Sequence, residues 1–270
     1  MKRYFHKRFN VVKPIGSGSF GVVYLGTDIK SMYVQDKKDV SQQEPQLIAI
    51  KVGLQEGERS DSKKREGSSS PTNTKSNNHV SYEPGQTKKD SHAYRMKREA
   101  VIIKRLQGQE GVPKLYWFGM VPQFKGTQAP IGSHVKMDRK MTALLKPKTR
   151  YVMVTQYLSK TLGQLASQRK DGLTSHEMFK VVNDMLYVIE GVHSKGFLHR
   201  DLKPDNIMVG KHPNKDQQQL YLIDYGLSRK YTMSDGKHIP YSSFRSFAGT
   251  PRYASIQAHM VGEQGRRDDL

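Results

Sequence analysis

Apolar residues in this chain recur at two spacings, and the two spacings predict different elements. Val22-Val23-Tyr24-Leu25 is a β-branched and aromatic run of the kind that fits a pleated surface. Leu47-Ile48-Ala49-Ile50-Lys51-Val52 reads as a short apolar strand carrying one lysine, and Tyr151-Val152-Met153-Val154 as a buried strand. Leu220-Tyr221-Leu222-Ile223 is a further apolar segment beyond a predicted hairpin. Helical spacing governs Tyr94 to Leu106, where Val101, Ile102, Arg105 and Leu106 alternate faces. A second helix is predicted to open at Thr174-Ser175-His176-Glu177, whose hydroxyl and carboxylate are placed to form a capping box. Its Phe179, Val182, Leu186 and Ile189 stand three and four apart and form one apolar face suited to burial. Polar stretches interrupt this pattern. Gln55 to His92 is rich in Ser, Lys, Asn, Gly and acids, too poor in apolar groups to fold, and disorder is expected there.

The charged and small residues between these elements carry the chemistry. His199-Arg200-Asp201-Leu202-Lys203-Pro204-Asp205-Asn206 places on one short loop the groups that phosphoryl transfer needs. Asp201 can accept the proton of an attacking hydroxyl, Lys203 can neutralise charge on the migrating group, and Asn206 can offer an oxygen to magnesium. Gly16-Ser17-Gly18-Ser19-Phe20-Gly21 lies between two strand-like stretches. There, small residues let backbone amides close over phosphates, with Phe20 at the loop tip. A glycine run of this kind is also a common hairpin turn. Lys51, inside its apolar run, must reach water or an anion. With the glycine loop upstream, the α/β-phosphates of ATP are the anion expected there. A half-exposed strand lysine is the plain alternative. Glu99 is the sole acid between Tyr94 and Leu106 and is the carboxylate expected to pair with Lys51; a solvated helix glutamate is the alternative. Asp224-Tyr225-Gly226 follows its apolar segment as a turn whose aspartate can hold magnesium bridging the β- and γ-phosphates.

Together these motifs resemble those of protein kinases. Several more narrow the resemblance to the casein kinase 1 family of serine/threonine kinases: Gly249-Thr250-Pro251-Arg252-Tyr253-Ala254-Ser255-Ile256, Arg266-Arg267-Asp268-Asp269-Leu270, Gly26-Thr27-Asp28-Ile29, Leu115-Tyr116-Trp117-Phe118-Gly119 and His193-Ser194-Lys195-Gly196. Tyrosine stands at 225 where phenylalanine is usual. Ser255-Ile256-Gln257 stands where most kinases carry Ala-Pro-Glu. The resemblance implies an α+β, two-lobed fold, with a small antiparallel β-sheet N-lobe over 1–156 and a mainly helical, incomplete C-lobe over 157–270. Inserts expected to be disordered fall near 33–46, 55–92 and 121–149. It implies ATP and magnesium as nucleotide and cofactor. Asp201, Lys203, Lys51 and Glu99 are the catalytic groups, and Asn206 and Asp224 hold the metal. Ile15, Gly16, Ser17, Gly18, Ser19, Phe20, Gly21, Val23, Ala49, Lys51 and Met208 surround the nucleotide. Thr155 lies behind the adenine, and Gln156 to Leu158 form a hinge. Arg252 belongs to a site that reads an anion upstream of the acceptor, so the expected partners are acidic or phosphorylated protein substrates.

Composition changes this picture little. A formal net charge of +20 attracts acidic peptides, phosphopeptides, nucleic acid or anionic membranes, and equally suits solubility with basic loops. The 121–149 stretch and its edge carry Lys136, Arg139, Lys140, Lys146, Lys148 and Arg150, yet no nucleic-acid-binding motif is present. With no cysteine, disulfide and thiolate chemistry are excluded. The absence of a membrane-length apolar run or signal-like core leads to the expectation of an intracellular protein without membrane insertion. In the resembled family Asp269 begins a buried apolar helix. The chain ends at Leu270, so the Thr174 helix is expected to lack its main packing partner and the protein to resemble a kinase fragment. Two other functions remain open at this point: a non-catalytic nucleotide-binding scaffold, and a basic nucleic-acid-binding protein.

Overall fold

Alternation along neighbouring strands decides which face of the N-terminal sheet looks into the molecule. In the computed structural model the described residues are 4–5, 8–18, 21–32, 45–53, 91–122, 149–212 and 217–270. Strands β1 (Tyr4–Phe5), β2 (Phe9–Gly18), β3 (Gly21–Asp28), β4 (Gln46–Gly53), β5 (Leu115–Pro122) and β6 (Thr149–Gln156) form an antiparallel sheet. Their spatial order is β1-β2-β3-β4-β6-β5. Val23 pairs with Lys51, Lys51 with Met153, and Ala49 with Thr155. Directly paired residues share a face, so Val23, Ala49, Lys51, Met153 and Thr155 line one side. The alternate positions Ile48, Ile50, Val152 and Val154 join Phe9 in a cluster on the other.

Helix α1 (Ser91–Leu106) packs on the Lys51 side, where Met96, Ile102, Ile103 and Leu106 meet Met153. The helix starts three residues before the predicted Tyr94. Val101 is exposed, while Ile102 and Leu106 are buried.

Helices dominate the second half. β7 (Lys160–Thr161) leads into α2 (Leu162–Ser167), and α3 spans Ser175–Ser194. The predicted capping box at Thr174 is present. The Glu177 amide donates to the Thr174 hydroxyl at 3.2 Å, and the Glu177 carboxylate accepts from the Thr174 amide at 2.9 Å. β8 (Phe197–Leu198) precedes the catalytic-type loop, and β9 (Ile207–Lys211) and β10 (Gln218–Leu222) form the predicted hairpin. Then come a 3-10 turn at Tyr225–Leu227, β11 (Arg229–Lys230), a turn at Pro251–Tyr253, α4 (Ile256–His259) and a final turn at Arg266–Asp269. The architecture is α+β. Among the described residues, no helix is long and apolar enough to cross a membrane.

Two expectations need correction. First, the core face of α3 is Met185, Val188, Ile189 and Val192. Of the predicted face only Ile189 is buried; Phe179 is 74% exposed, with Val182 and Leu186 about half exposed. The helix carries two apolar stripes. The one meeting β8 and β10 is the one removed from water, at about 1.5–3 kcal/mol per side chain. Second, the insert boundaries shrink. Gln46 belongs to β4, Ser91 and His92 to α1, Val121 and Pro122 to β5, and Thr149 to β6. The rest of the three predicted inserts lies outside the described residues apart from Pro45.

Candidate active site

Three elements converge on Lys51. From β4 its ammonium reaches both carboxylate oxygens of Glu99 on α1, at 2.7 and 3.0 Å. It also lies 3.7 Å from Asp224 Oδ1, at the head of the Tyr225–Leu227 turn. The expected Lys51–Glu99 pair is therefore formed, although 48 positions separate the two residues in sequence. Glu99 is 3% exposed, a burial that only a paired carboxylate tolerates. Burial opposes the charge on Lys51, but Glu99 and Asp224 outweigh it and raise the ammonium pKa above its ordinary value. Burial likewise opposes ionisation of Asp224. The Lys51 charge is the chief influence that overcomes it, leaving this carboxyl below its usual range. Asp224 holds a left-handed backbone, φ 62° and ψ 68°, which costs a non-glycine residue about 1–3 kcal/mol and marks a position the surroundings enforce.

The second cluster is the loop after β8. Asp201 is 8% exposed, and its side chain meets Lys203, Asn206 and Thr250 among the described residues. Its Oδ2 lies 3.0 Å from Lys203 Nζ and accepts from Asn206 Nδ2 at 3.1 Å. The same Asn206 amide donates to the Asp201 carbonyl at 2.8 Å. With its NH₂ so occupied, the Asn206 side chain has its oxygen left for a ligand. Thr250 donates its hydroxyl to Asp201 Oδ1 at 2.7 Å and accepts from Lys203 Nζ at 2.8 Å. One threonine thus ties the acid and the base of the loop together. Gly249, at φ 120°, precedes it; a Cβ there would stand 2.9 Å from the Arg200 carbonyl. Glycine lets the segment lie against the loop.

His199 and Asp269 hold the loop from beneath. His199 Nε2 lies 2.9 Å from the Ile223 carbonyl, and its Nδ1 accepts from the Asp201 amide at 3.3 Å. Burial outweighs the neighbouring acids and lowers the His199 pKa, so the ring is neutral with its proton on Nε2. Asp269 Oδ2 accepts from the His199 amide at 2.7 Å and faces His193 Nε2 at 3.0 Å. Its Oδ1 accepts from the Arg200 amide at 2.7 Å. These contacts hold Arg200 in a left-handed conformation, φ 68°. Thr250 and Asp269 had no functional reading of their own in the sequence. Both sit inside the Gly249–Ile256 and Arg266–Leu270 motifs, but neither spacing nor residue type reveals the partners they reach across the fold.

Most of the remaining predicted residues fall on strands β2, β3, β4, β6 and β9. Gly16 pairs with Val23, Ser17 with Val22, and Gly18 with Gly21 across β2 and β3. A Cβ at Gly21 would overlap the Val52 carbonyl, whereas nothing lies within 4 Å of one at Gly16. Ser19 and Phe20 lie outside the described residues. Ile15 is 43% exposed, and Val23, Ala49 and Thr155 share the Lys51 face. The Gln156 amide donates to the Lys114 carbonyl at 2.9 Å, so that donor serves the sheet. Leu158 is buried, and Met208 pairs with Tyr221 and Thr161 in a three-stranded sheet. Arg252 is exposed beyond Thr250, its guanidinium 5.8 Å from the centre of the Tyr253 ring. A groove of about 1020 Å³ is lined by Gln107, Lys114, Tyr116, Gln156, Lys211 and Tyr221, and Lys51, Glu99, Asp201, Lys203, Asn206 and Asp224 are not among its lining residues.

Residues 85–258, more than half of the chain, match the family model of the protein kinase domain. The chain belongs to the protein kinase family. The match embraces the Glu99 helix, the Asp201 loop, Asp224 and Thr250. In this kinase domain the glycine loop and Lys51 precede the matched span, and Asp269 follows it. Both are joined to it by the contacts above.

Proposed function

We propose that this kinase domain is a serine/threonine kinase resembling casein kinase 1, transferring the γ-phosphate of ATP to acidic or phosphate-primed proteins. The observation that carries this reading is the triad of Lys51, Glu99 and Asp224. It joins sheet, helix and turn in the arrangement phosphoryl transfer requires. In this reading Asp201 orients the substrate hydroxyl and takes its proton, while Lys203 stabilises charge on the transferring group. Lys51 holds the phosphates, and catalysis is positioning plus fixed electrostatics. Ile15, Val23, Ala49 and Met208 enclose the base, with the hinge after Thr155 beside it.

Asp224 and the Asn206 oxygen are the groups that would hold magnesium. Among the described residues no cluster of three acids, histidines or cysteines could cage a metal alone. That donor set suits an ion that keeps water and phosphate oxygens as its other ligands. Magnesium would supply charge neutralisation at the β- and γ-phosphates.

Arg252 supports the primed-substrate part of the proposal. It is exposed two residues beyond Thr250, and among the described residues it pairs with no carboxylate, which leaves its fork available to a phosphate.

The test is transfer of labelled γ-phosphate from magnesium-ATP to an acidic protein, with phosphoamino-acid analysis. Asp201→Asn should lower turnover by about two orders of magnitude or more and leave nucleotide affinity nearly intact. Nucleotide binding without any transfer by the unaltered chain would overturn the catalytic reading, and unchanged turnover in Asp201→Asn would remove that residue from it.

A further inference from the structure

Tyr225 is a buried phenol with no hydrogen-bond partner. The residue is fully buried, and its hydroxyl meets no donor or acceptor among the described residues. Its ring stands edge-on to His199, with centroids 5.1 Å apart. Both nitrogens of that imidazole are committed, Nε2 to the Ile223 carbonyl and Nδ1 to the Asp201 amide. The nearby acid, Asp269, accepts the His199 and Arg200 amides and makes no hydrogen bond with the phenol. The surroundings are otherwise the apolar cluster of Met96, Ile103, Leu222 and their neighbours. A phenylalanine would fill the same seat with nothing left unsatisfied, so the hydroxyl opposes the seating of the ring.

The seat and the metal-holding aspartate belong to one turn. Asp224 immediately precedes the ring and caps the turn, its Oδ1 accepting from the Gly226 amide at 3.4 Å. The Ser228 amide closes the turn on the Tyr225 carbonyl at 3.1 Å. With the ring seated, Asp224 faces Lys51 from a left-handed backbone that favours relaxation. A withdrawn ring would return its hydroxyl to water and would release that backbone.

We infer that Tyr225 is a positioning residue. Its unpartnered hydroxyl weakens the seated turn and thereby lowers the fraction of molecules in which Asp224 faces Lys51 and a metal. Phenylalanine at this position should raise the ratio of seated to withdrawn turn about tenfold, the factor that ~1.4 kcal/mol makes. The inference rests on the proposed reading of Asp224 as a metal holder, and two measurements separate the two ideas.

The first is amide hydrogen exchange of the 222–230 segment in the unliganded chain, which needs no nucleotide or turnover. In Tyr225→Phe the Gly226 and Ser228 amides should exchange about tenfold more slowly. The second is the magnesium dependence of ADP binding by calorimetry, where half-saturation should fall to lower magnesium in the variant. A ring that merely supports the fold would not move it. Exchange that is unchanged or faster overturns the proposal, because the hydroxyl then carries no penalty. Slower exchange with unchanged magnesium dependence also overturns it, because the hydroxyl then burdens the fold without acting on Asp224. If neither protein binds magnesium-ADP, the nucleotide reading fails, and with it the positioning role. Slower exchange would still stand as evidence for the weakened turn.

Discussion

Asp269 is the buried group whose loss should separate the architecture of the loop from its chemistry. Its side chain is 2% exposed and accepts from the His199 and Arg200 amides at 2.7 Å each, with His193 Nε2 at 3.0 Å. Asparagine is nearly isosteric but has one acceptor oxygen where aspartate has two. Whichever way its amide turns, the NH₂ group confronts one of the two main-chain N–H groups. His193 can adapt by moving its proton to Nδ1, but a peptide amide cannot. One buried N–H left unpaired costs about 1–3 kcal/mol, and loss of charge assistance on the surviving bonds adds roughly 1 kcal/mol more. Relief of the desolvated carboxylate offsets part of this, because burial is the largest influence opposing its ionisation. A net destabilisation of about 2–3 kcal/mol is expected, read as a lower urea midpoint at unchanged slope. Asp201 follows Arg200 directly, so turnover should fall at least tenfold while the KM for nucleotide changes little. A midpoint shift worth less than about 0.5 kcal/mol, with turnover intact, would show that the loop holds its shape without this carboxylate.

Glu99→Gln should leave Lys51 with Asp224 at 3.7 Å as its remaining carboxylate. About 2 kcal/mol of stability and roughly 30-fold in turnover should be lost, and normal activity in steady-state assays would contradict the role of the pair. In Arg252→Ala the preference for primed over unprimed peptide should fall about tenfold; equal losses on both peptides would make Arg252 a structural residue. The His199 pKa is lower folded than unfolded, so the unfolded chain takes up a proton first as pH falls. The stabilising contribution is therefore full above pH ~6.5 and declines as pH drops toward the folded value. The melting temperature should fall with pH below that point, and His199→Gln, which can still donate to the Ile223 carbonyl, should flatten the slope. A slope unchanged by that substitution would assign the proton uptake elsewhere.

What the sequence discloses and what it conceals follow from how local each signal is. The Thr174 capping box involves residues three apart, and one turn of helix suffices to form it. Strand alternation around Lys51 is equally local, and Glu99 is identifiable as its carboxylate because it is the one acid in the helical stretch. On α3 the predicted Phe179, Val182 and Leu186 and the buried Met185, Val188, Ile189 and Val192 both recur at helical spacing. Periodicity detects both stripes; tertiary packing chooses one. Thr250 and Asp269 act across 49 and 70 positions on Asp201 and His199, and no periodic pattern encodes such a pairing. The unpartnered hydroxyl of Tyr225 is visible only once its neighbours are known to be committed.

The charge of the whole chain and the charge of the cleft have opposite signs, and the difference bears on the proposed chemistry. The chain carries +20, yet the cleft sets Lys51 and Lys203 against Glu99, Asp201 and Asp224. Two cations against three carboxylates leave that cluster at −1. The depressed pKa of Asp224 keeps its carboxylate ionised at neutral pH. Long-range attraction by the basic surface can gather a polyanion near the protein, since oriented fields act over about a Debye length of ~10 Å. It cannot seat a triphosphate beside Asp224, where the short-range interaction is repulsive. Asp224 and Asn206 would hold a divalent cation there, whose charge would reverse that sign. Nucleotide affinity in this kinase domain should therefore depend steeply on magnesium. Asp224→Asn, which removes one of the three negative charges, should weaken that dependence while leaving binding of the nucleotide alone no worse. Equal magnesium dependence in the two proteins, measured by titration calorimetry, would mean that Asp224 does not hold the metal.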